Sequence, residues 1–310
     1  MSIPIVTGSV MGQIDRTAID HWGVAGLYLM ERAGEASREI LLDPDYGFDI
    51  SRPVVICGGG NNGGDGLVVV RRLLEHGTYP RLFLTGDPDR YRGEGKVNLD
   101  RVTEAGLQPT VLKEDNCAQA LAEALRESTV VVDAILGTGI SGSARGVPAE
   151  AIERFNAHNV PVLSIDVPSG VIADTGAVEG PAVDAAVTVT FGLPKVGHFL
   201  PPGIDYRGSL AVRAIGFPSE LIREANCEAL LLEPEDIRAA LPRRRASSHK
   251  GTNGHLCVIA GSRGMSGAAL LCAHAAYAVG AGLVTLALPA SLLPVAATAF
   301  WEALQSPLPE

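Results

Sequence analysis

Pro53-Val-Val-Ile-Cys-Gly-Gly-Gly-Asn-Asn-Gly-Gly-Asp-Gly66 decides how the rest of the chain is read. A short β-branched run passes directly into nine glycine, amide and carboxyl residues, and Gly66–His76 then takes up a helical apolar period. Strand, glycine loop and helix in that order are half of a βαβ unit. Successive glycines let backbone N–H groups converge on an anion, and the following helix adds the positive end of its dipole. The loop is neither G-x-G-x-x-G nor the Walker pattern, because no Gly-Lys-Ser/Thr follows it. Asn61, Asn62 and Asp65 add side chains that bind hydroxyls or a hard cation. A tight turn with Asp65 as an ordinary helix cap needs fewer such residues than this.

On either side of this loop the same alternation continues. Strands are expected at Pro53–Cys57, Arg81–Thr85, Thr129–Ile135, Val160–Asp166, Asp184–Phe191 and Leu210–Ile215. Helices are expected at Gly66–His76, Gly93–Ala105, Cys117–Glu127 and Pro148–Ala157. Ahead of them Val10–His21 and Gly26–Leu41 read as amphipathic helices. The fold class is therefore α/β: a Rossmann-like, doubly wound, mostly parallel sheet with an N-terminal helical extension. Ligands in such sheets sit beyond the C-terminal ends of the strands, so the loops after strands carry the function.

Three more loops of that kind hold chemistry. Gly137-Thr-Gly-Ile-Ser-Gly-Ser-Ala-Arg-Gly146 follows the strand containing Asp133. Its glycines and the hydroxyls of Thr138, Ser141 and Ser143 suit a phosphate, with Arg145 as a counter-charge. Asp133, at a strand end, is costly there unless it binds something or braces a loop. Asp166-Val-Pro-Ser-Gly170 places an acid/base group and the Ser169 hydroxyl on the same rim. Phe191-Gly-Leu-Pro-Lys-Val-Gly-His198 supplies Lys195, while His198 reads as structural, with no partner evident in the sequence.

Composition bounds the classes. The 310 residues are 46% hydrophobic and 19% charged, which excludes a disordered chain. The net charge of −10 argues against a nucleic-acid partner. Residues 228–310 hold six basic and six acidic side chains, so all of that charge lies in residues 1–227. Five cysteines without a C-x-x-C pair fit a reducing, cytoplasmic setting. Ala268–Leu288 is long and uncharged enough to raise the membrane question. It is Ala-rich and broken by Gly280 and Gly282, so a buried helix, Ala268–Val279, and a buried strand, Leu283–Leu288, are expected, with no membrane partner. Three divisions follow: residues 1–218, a connection at 219–247 containing Arg243, Arg244 and Arg245, and a C-terminal unit at 248–310. That last unit, with only one or two βα repeats, would leave apolar surface that favours association, including into a homo-oligomer.

Four stretches together resemble one family. Val54–Arg72 with its Asn61-Asn-Gly-Gly-Asp-Gly66 core, Val132-Asp-Ala-Ile-Leu-Gly-Thr-Gly139, Asp166-Val-Pro-Ser-Gly170 and Phe191-Gly-Leu-Pro-Lys195 are similar to the YjeF N-terminal family, the NAD(P)H-hydrate epimerases. Leu29-Met-Glu-Arg-Ala-Gly34, Met11 and Asp15 resemble its N-terminal helices, and the likeness covers residues 1 to about 218. The segment Ser248–Gly254 with Gly261–Ala269 resembles the opening of the ribokinase-like, ADP-dependent NAD(P)H-hydrate dehydratase. The later nucleotide-binding glycine loop and Gly-Asp of that enzyme, hence its ADP/ATP site, are not matched in these residues. The expectation is a complete epimerase followed by an incomplete ribokinase-like unit without dehydratase activity; the alternative is a fragment of a fully bifunctional epimerase/dehydratase, with lyase activity only in the full-length form.

The resemblance implies interconversion of the R and S forms of hydrated NADH or NADPH at C6 of the nicotinamide ring. It implies Asp166 as acid/base and Lys195 as its helper. Substrate contacts are implied for Asn61, Asn62, Gly63, Gly64, Asp65, Gly137, Thr138, Gly139, Ile140, Ser141, Gly142, Ser143, Arg145 and Asp166. A potassium ion is implied on Asn62, Asp133 and Ser169, whose amide, carboxylate and hydroxyl oxygens are hard ligands. Two readings compete: a non-catalytic scaffold on the same fold, and a Rossmann dehydrogenase. A scaffold has no need of the acid, lysine and cation set, and the glycine fingerprint is wrong for the dehydrogenase.

Overall fold

The computed structural model describes residues 2–227 and 229–309. The chain forms two compact units, Met1–Asp236 and Ile237–Glu310. In the first, the elements run β1 (Ile3–Ile5), α1 (Gly8–Asp20), α2 (Gly26–Leu42), β2 (Pro53–Cys57), α3 (Asn61–Glu75), β3 (Arg81–Leu84), α4 (Gly93–Glu104), β4 (Thr110–Val111) and α5 (Cys117–Glu127). They continue with β5 (Val130–Ala134), α6 (Val147–Asn156), β6 (Val162–Ile165), β7 (Val187–Phe191), α7 (Gly203–Tyr206), β8 (Ser209–Arg213), α8 (Ser219–Arg223) and β9 (Ala229–Leu231).

Among the described residues, seven of these strands form one sheet in the order β4-β3-β2-β5-β6-β7-β8. Every pairing in it is parallel. Strands β2, β5 and β7 are buried along their whole length, which is why they read as unbroken apolar runs. Leu29, Ile40, Leu67 and Leu73 of α2 and α3 pack on one face, whereas Leu121, Leu125, Ile152 and Phe155 of α5 and α6 pack on the other. The chain reverses direction across the sheet between β2 and β5. That switch point opens a crevice at the strands' C-terminal ends.

Several boundaries depart from expectation. Helix α3 begins at Asn61 rather than Gly66, so the second half of the glycine run is the helix's first turn. Close packing forces the turn: a Cβ on Gly58 would lie 1.9 Å from the Ile135 carbonyl, and one on Gly63 1.8 Å from that of Gly58. Strand β6 ends at Ile165, leaving Asp166 outside it with φ +67°, the one non-glycine residue with positive φ among those described. The short β4 and the antiparallel pair β1–β9 were not expected. They are too short to leave a periodic signal.

The second unit contains β10 (His255–Ile259), α10 (Gly267–Ala278), β11 (Leu283–Pro289), α11 (Leu293–Ala299) and β12 (Leu304–Leu308), and α9 (Pro234–Ala240) runs across the boundary before it. Strands β10-β11-β12 pair in parallel, with Ala269, Ala273, Val284, Leu286 and Phe300 in the core. The expected burial of the alanine-rich helix is only partial. One alanine stripe is covered, while Leu271 is 71% exposed and Val279, just past its end, 83%. Among the described residues no helix is long and apolar enough to cross a membrane.

Candidate active site

Four strand ends deliver the site. After β2, the N-terminus of α3 has no side-chain cap, so its first-turn amides stay available to a ligand. After β5 comes Ile135–Ile140, after β6 comes Asp166, and after β7 comes Lys195. A cavity of about 490 Å³ lies between the first two loops, lined by Gly59–Asn62, Asp65, Gly137–Ile140 and Asp166. A second, of about 360 Å³, adjoins it and shares Asn61, Asp65, Thr138 and Asp166. Its walls add Met30 from α2, Phe191 and Phe217, with Asp15 and Arg16 from α1 and Glu94 from α4.

Lys195 is 1% exposed, and its ammonium is fully engaged. Nζ donates to Asp166 Oδ1 at 2.5 Å, to Thr190 Oγ1 at 2.8 Å and to the Phe191 carbonyl at 3.2 Å. Thr190 Oγ1 in turn donates to Asp166 Oδ1 at 3.0 Å. Burial pushes the Asp166 carboxyl up, but the Lys195 charge and these hydrogen bonds outweigh it and hold the group below the usual carboxylate range. Asp166 is therefore an ionised acceptor, and Lys195 is its fixed counter-ion.

His198, which the sequence leaves without a partner, braces both. The Lys195 amide donates to its Nδ1 at 3.1 Å, so the ring proton sits on Nε2 and is donated to the Asp166 carbonyl at 3.0 Å. Burial, reinforced by the Lys195 charge, pushes the imidazole down to about 4, so it is neutral. With the Asp166 amide donating to the Val189 carbonyl at 2.7 Å, these bonds hold the left-handed Asp166 backbone in place.

Ser169 bonds Asp133 directly, and Asn62 is linked to the two through the Leu136 backbone, whose carbonyl accepts from both Asn62 and Ser169. Asp133 is 0% exposed and accepts from Ser169 Oγ at 2.5 Å, the Ser169 amide at 2.9 Å, Ser164 Oγ at 2.8 Å and the Ile135 amide at 3.2 Å. Burial raises its carboxyl, and these four donors counter the rise. Asn62 donates from Nδ2 to the Leu136 carbonyl at 3.0 Å, while its Oδ1 is buried with no hydrogen-bond partner. A buried amide oxygen without a partner, on a side chain that shares the Leu136 carbonyl with the Ser169 hydroxyl, offers hard oxygen ligands of the kind a monovalent cation takes.

Other sequence-derived candidates lie apart. Gly63 and Gly64 pack against Gly58 and Met30 and line neither cavity. Ser141, Gly142, Ser143 and Arg145 also line neither, and Arg145 is exposed. Thr190, Ser164 and Glu94 were not expected at the site. The alternation of Thr188 and Thr190 in a fully buried strand was the one available signal, since a buried threonine needs a partner.

A family model described as the YjeF-related protein N-terminus matches residues 26–197. The chain belongs to the YjeF N-terminal family. It is 40% identical over 307 residues to the bifunctional NAD(P)H-hydrate repair enzyme Nnr of Moorella thermoacetica, covering 99% of this chain and 58% of that protein. It is 40% identical over 218 residues to the NAD(P)H-hydrate epimerase of Weissella koreensis, 70% of this chain and 94% of the relative. The YjeF-type fold recurs in the crystal structure of yeast YNL200c, with a TM-score of 0.58 at 25% identity over 75% of this chain and 97% of the yeast one. The chain spans between half and three fifths of the length of the bifunctional relatives.

Proposed function

We propose that this protein interconverts the R and S epimers of NADH or NADPH hydrated at C6 of the nicotinamide ring. The observation that carries the reading is the buried Asp166–Lys195–Thr190 cluster beside an uncapped helix N-terminus at the sheet's switch point. A dinucleotide needs an anion site next to an acid/base group. In this reading its pyrophosphate lies over the first turn of α3 and the Gly137–Ile140 backbone. The C6 carbon bears a hydroxyl and a ring nitrogen, so inversion needs groups that move a proton there. Ionised Asp166 accepts that proton, and Lys195 stabilises the charge and fixes the carboxylate.

A potassium ion would be held by Asn62 and Ser169 with Asp133. When bound it supplies charge compensation for the buried carboxylate and order for the loops after β2, β5 and β6. Asp133 already positions Ser169 and the Ile135 amide through its four hydrogen bonds.

Residues 248–310 we read as the opening of a dehydratase domain. The match to the Moorella relative, which runs through 99% of this chain, supports this. The lyase reaction is not assigned to these residues.

The test is incubation of the purified chain with one pure hydrate epimer, following the R/S ratio by chromatography. Equilibration above the uncatalysed background is expected, slowed on the order of 10²–10⁴-fold in Asp166→Ala. No acceleration by the parent chain would refute the reading.

A further inference from the structure

Epimerisation at C6 needs a proton donor as well as an acceptor, and neither Asp166 nor Lys195 holds a proton free of a protein acceptor. All three Lys195 Nζ hydrogens have protein acceptors, in Asp166, Thr190 and the Phe191 carbonyl. Asp166 accepts two hydrogen bonds and is ionised. The other carboxyl common to both cavities is Asp65, in the first turns of α3.

The second cavity also has an unusual character. Four carboxyl side chains (Asp15, Asp65, Glu94, Asp166) and two cations (Arg16, Lys195) line it, between apolar walls that include Met30, Phe191 and Phe217. Such a cavity repels phosphate. It suits a flat ring that is neutral when it enters and positive during reaction, because carboxylates in a low-dielectric site stabilise a cation strongly.

We propose that Asp65 is the second acid/base carboxyl of the site, and that the nicotinamide ring reacts in this acidic cavity by losing and regaining water. The proposal rests on the epimerase reading above. In the first step the Asp65 O–H gives its proton to the C6 hydroxyl. The C6–O bond breaks with its electron pair on oxygen, water leaves, and the N1 lone pair forms a C6=N1 bond. The ring is now an iminium cation facing ionised Asp65 and Asp166. Water then adds to the other face of C6 and gives its extra proton to Asp166. The opposite epimer, entering next, or exchange with solvent, restores the pair. One water leaves, one adds, and nothing is oxidised or reduced.

Burial, with the neighbouring Asp166 and Asp15 carboxylates, pushes the Asp65 carboxyl well above its usual range, although Lys195 pulls the other way. Asp15 is raised as well, by burial first and then by Glu94, with Arg16 opposing. The groups facing Asp65 are thus Asp15, Asp166 and Lys195 across the cavity and the buried Cys57 thiol of β2 behind it, with Arg16 and Glu94 further round the cavity.

The experiment is epimerisation of each pure epimer in ¹⁸O-labelled water by the full chain, its Asp65→Asn variant and its Asp15→Asn variant, with rates across pH. In the parent, every molecule epimerised above background takes one solvent oxygen at C6. Asp65→Asn lowers kcat on the order of 10²–10⁴-fold with KM changed less than about threefold, and the alkaline fall in the parent's rate disappears. Asp15→Asn lowers the rate less than about tenfold. Epimerisation without oxygen exchange would overturn the proposal, since it means the ring opens instead. So would an Asp65→Asn kcat near the parent's. If Asp65→Asn melts out at the assay temperature, label incorporation and the alkaline limb of the parent decide. A parent chain that leaves both epimers unchanged would instead count against the epimerase reading itself.

Discussion

Replacing His198 with Phe isolates the brace that holds the two acid/base residues. The change keeps a flat ring of similar size and removes both nitrogens. It leaves the Lys195 N–H and the Asp166 C=O without their side-chain partner in a region where His198 itself is 0% exposed. Each orphaned buried group costs about 1–3 kcal/mol, so the pair costs about 2–6 kcal/mol at pH 7. For a unit of this size that corresponds to a fall in Tm on the order of 10 °C. The loss depends on pH in a definite direction. In the folded chain the imidazole titrates at about 4 rather than 6.5, so the native state binds fewer protons than the unfolded chain between those values. The neutral ring's contribution is full above pH 6.5 and is lost as pH falls through about 4, a change of about 3 kcal/mol. The gap between parent and His198→Phe therefore narrows by about that amount from pH 7 to pH 4. Thermal or urea melts of both proteins at intervals across this range measure it, and the epimerisation rate at pH 7 should drop with the lost positioning. A variant melting within about 2 °C of the parent at pH 7, with the same pH slope, would refute the argument.

Three further outcomes are expected. Exchanging potassium for tetramethylammonium should lower the Tm and the epimerisation rate, and Asp133→Asn should weaken that dependence; identical melts and rates in both salts would remove the cation from Asn62, Asp133 and Ser169. A chain ending at Asp236 should epimerise at the parent's rate, because both cavities and the β1–β9 pair lie within the first unit, and it should be more soluble, since Ile259, Leu271 and Trp301 are more than 70% exposed in the second; loss of activity would show that the second unit contributes to the site. The 310-residue polypeptide should give no ADP- or ATP-dependent rise in reduced-nicotinamide absorbance from the S hydrate, because residues 237–301 contain no carboxylate to serve as its acid; a nucleotide-dependent rise would refute this.

Local chemistry made most of the fold legible. Strand β2 and helix α5 fall where their apolar period puts them, because a strand buried on both faces and a one-sided helix leave different periodicities. The glycine run after β2, the hydroxyl-rich loop after β5, and Asp166 and Lys195 after their strands could be placed on one rim from strand order alone. The start of α3 could not, because it depends on how closely Gly58 meets Ile135, a contact 77 residues away.

The order of residues alone is therefore enough for the class of sheet, the loops that carry chemistry and the family they match. Each follows from residue type and spacing, which act over a few residues. Long-range packing sets the electrostatic roles. It buried Lys195 so that all its protons are spent on Asp166, Thr190 and Phe191, and it gave His198 two backbone partners. It also set Asp65 and Asp15 from two different helices against Asp166 in one cavity. Whether a carboxyl holds or gives up its proton depends on burial and on charges a few ångströms off, and those neighbours come from β6, β7, α1 and α3 together.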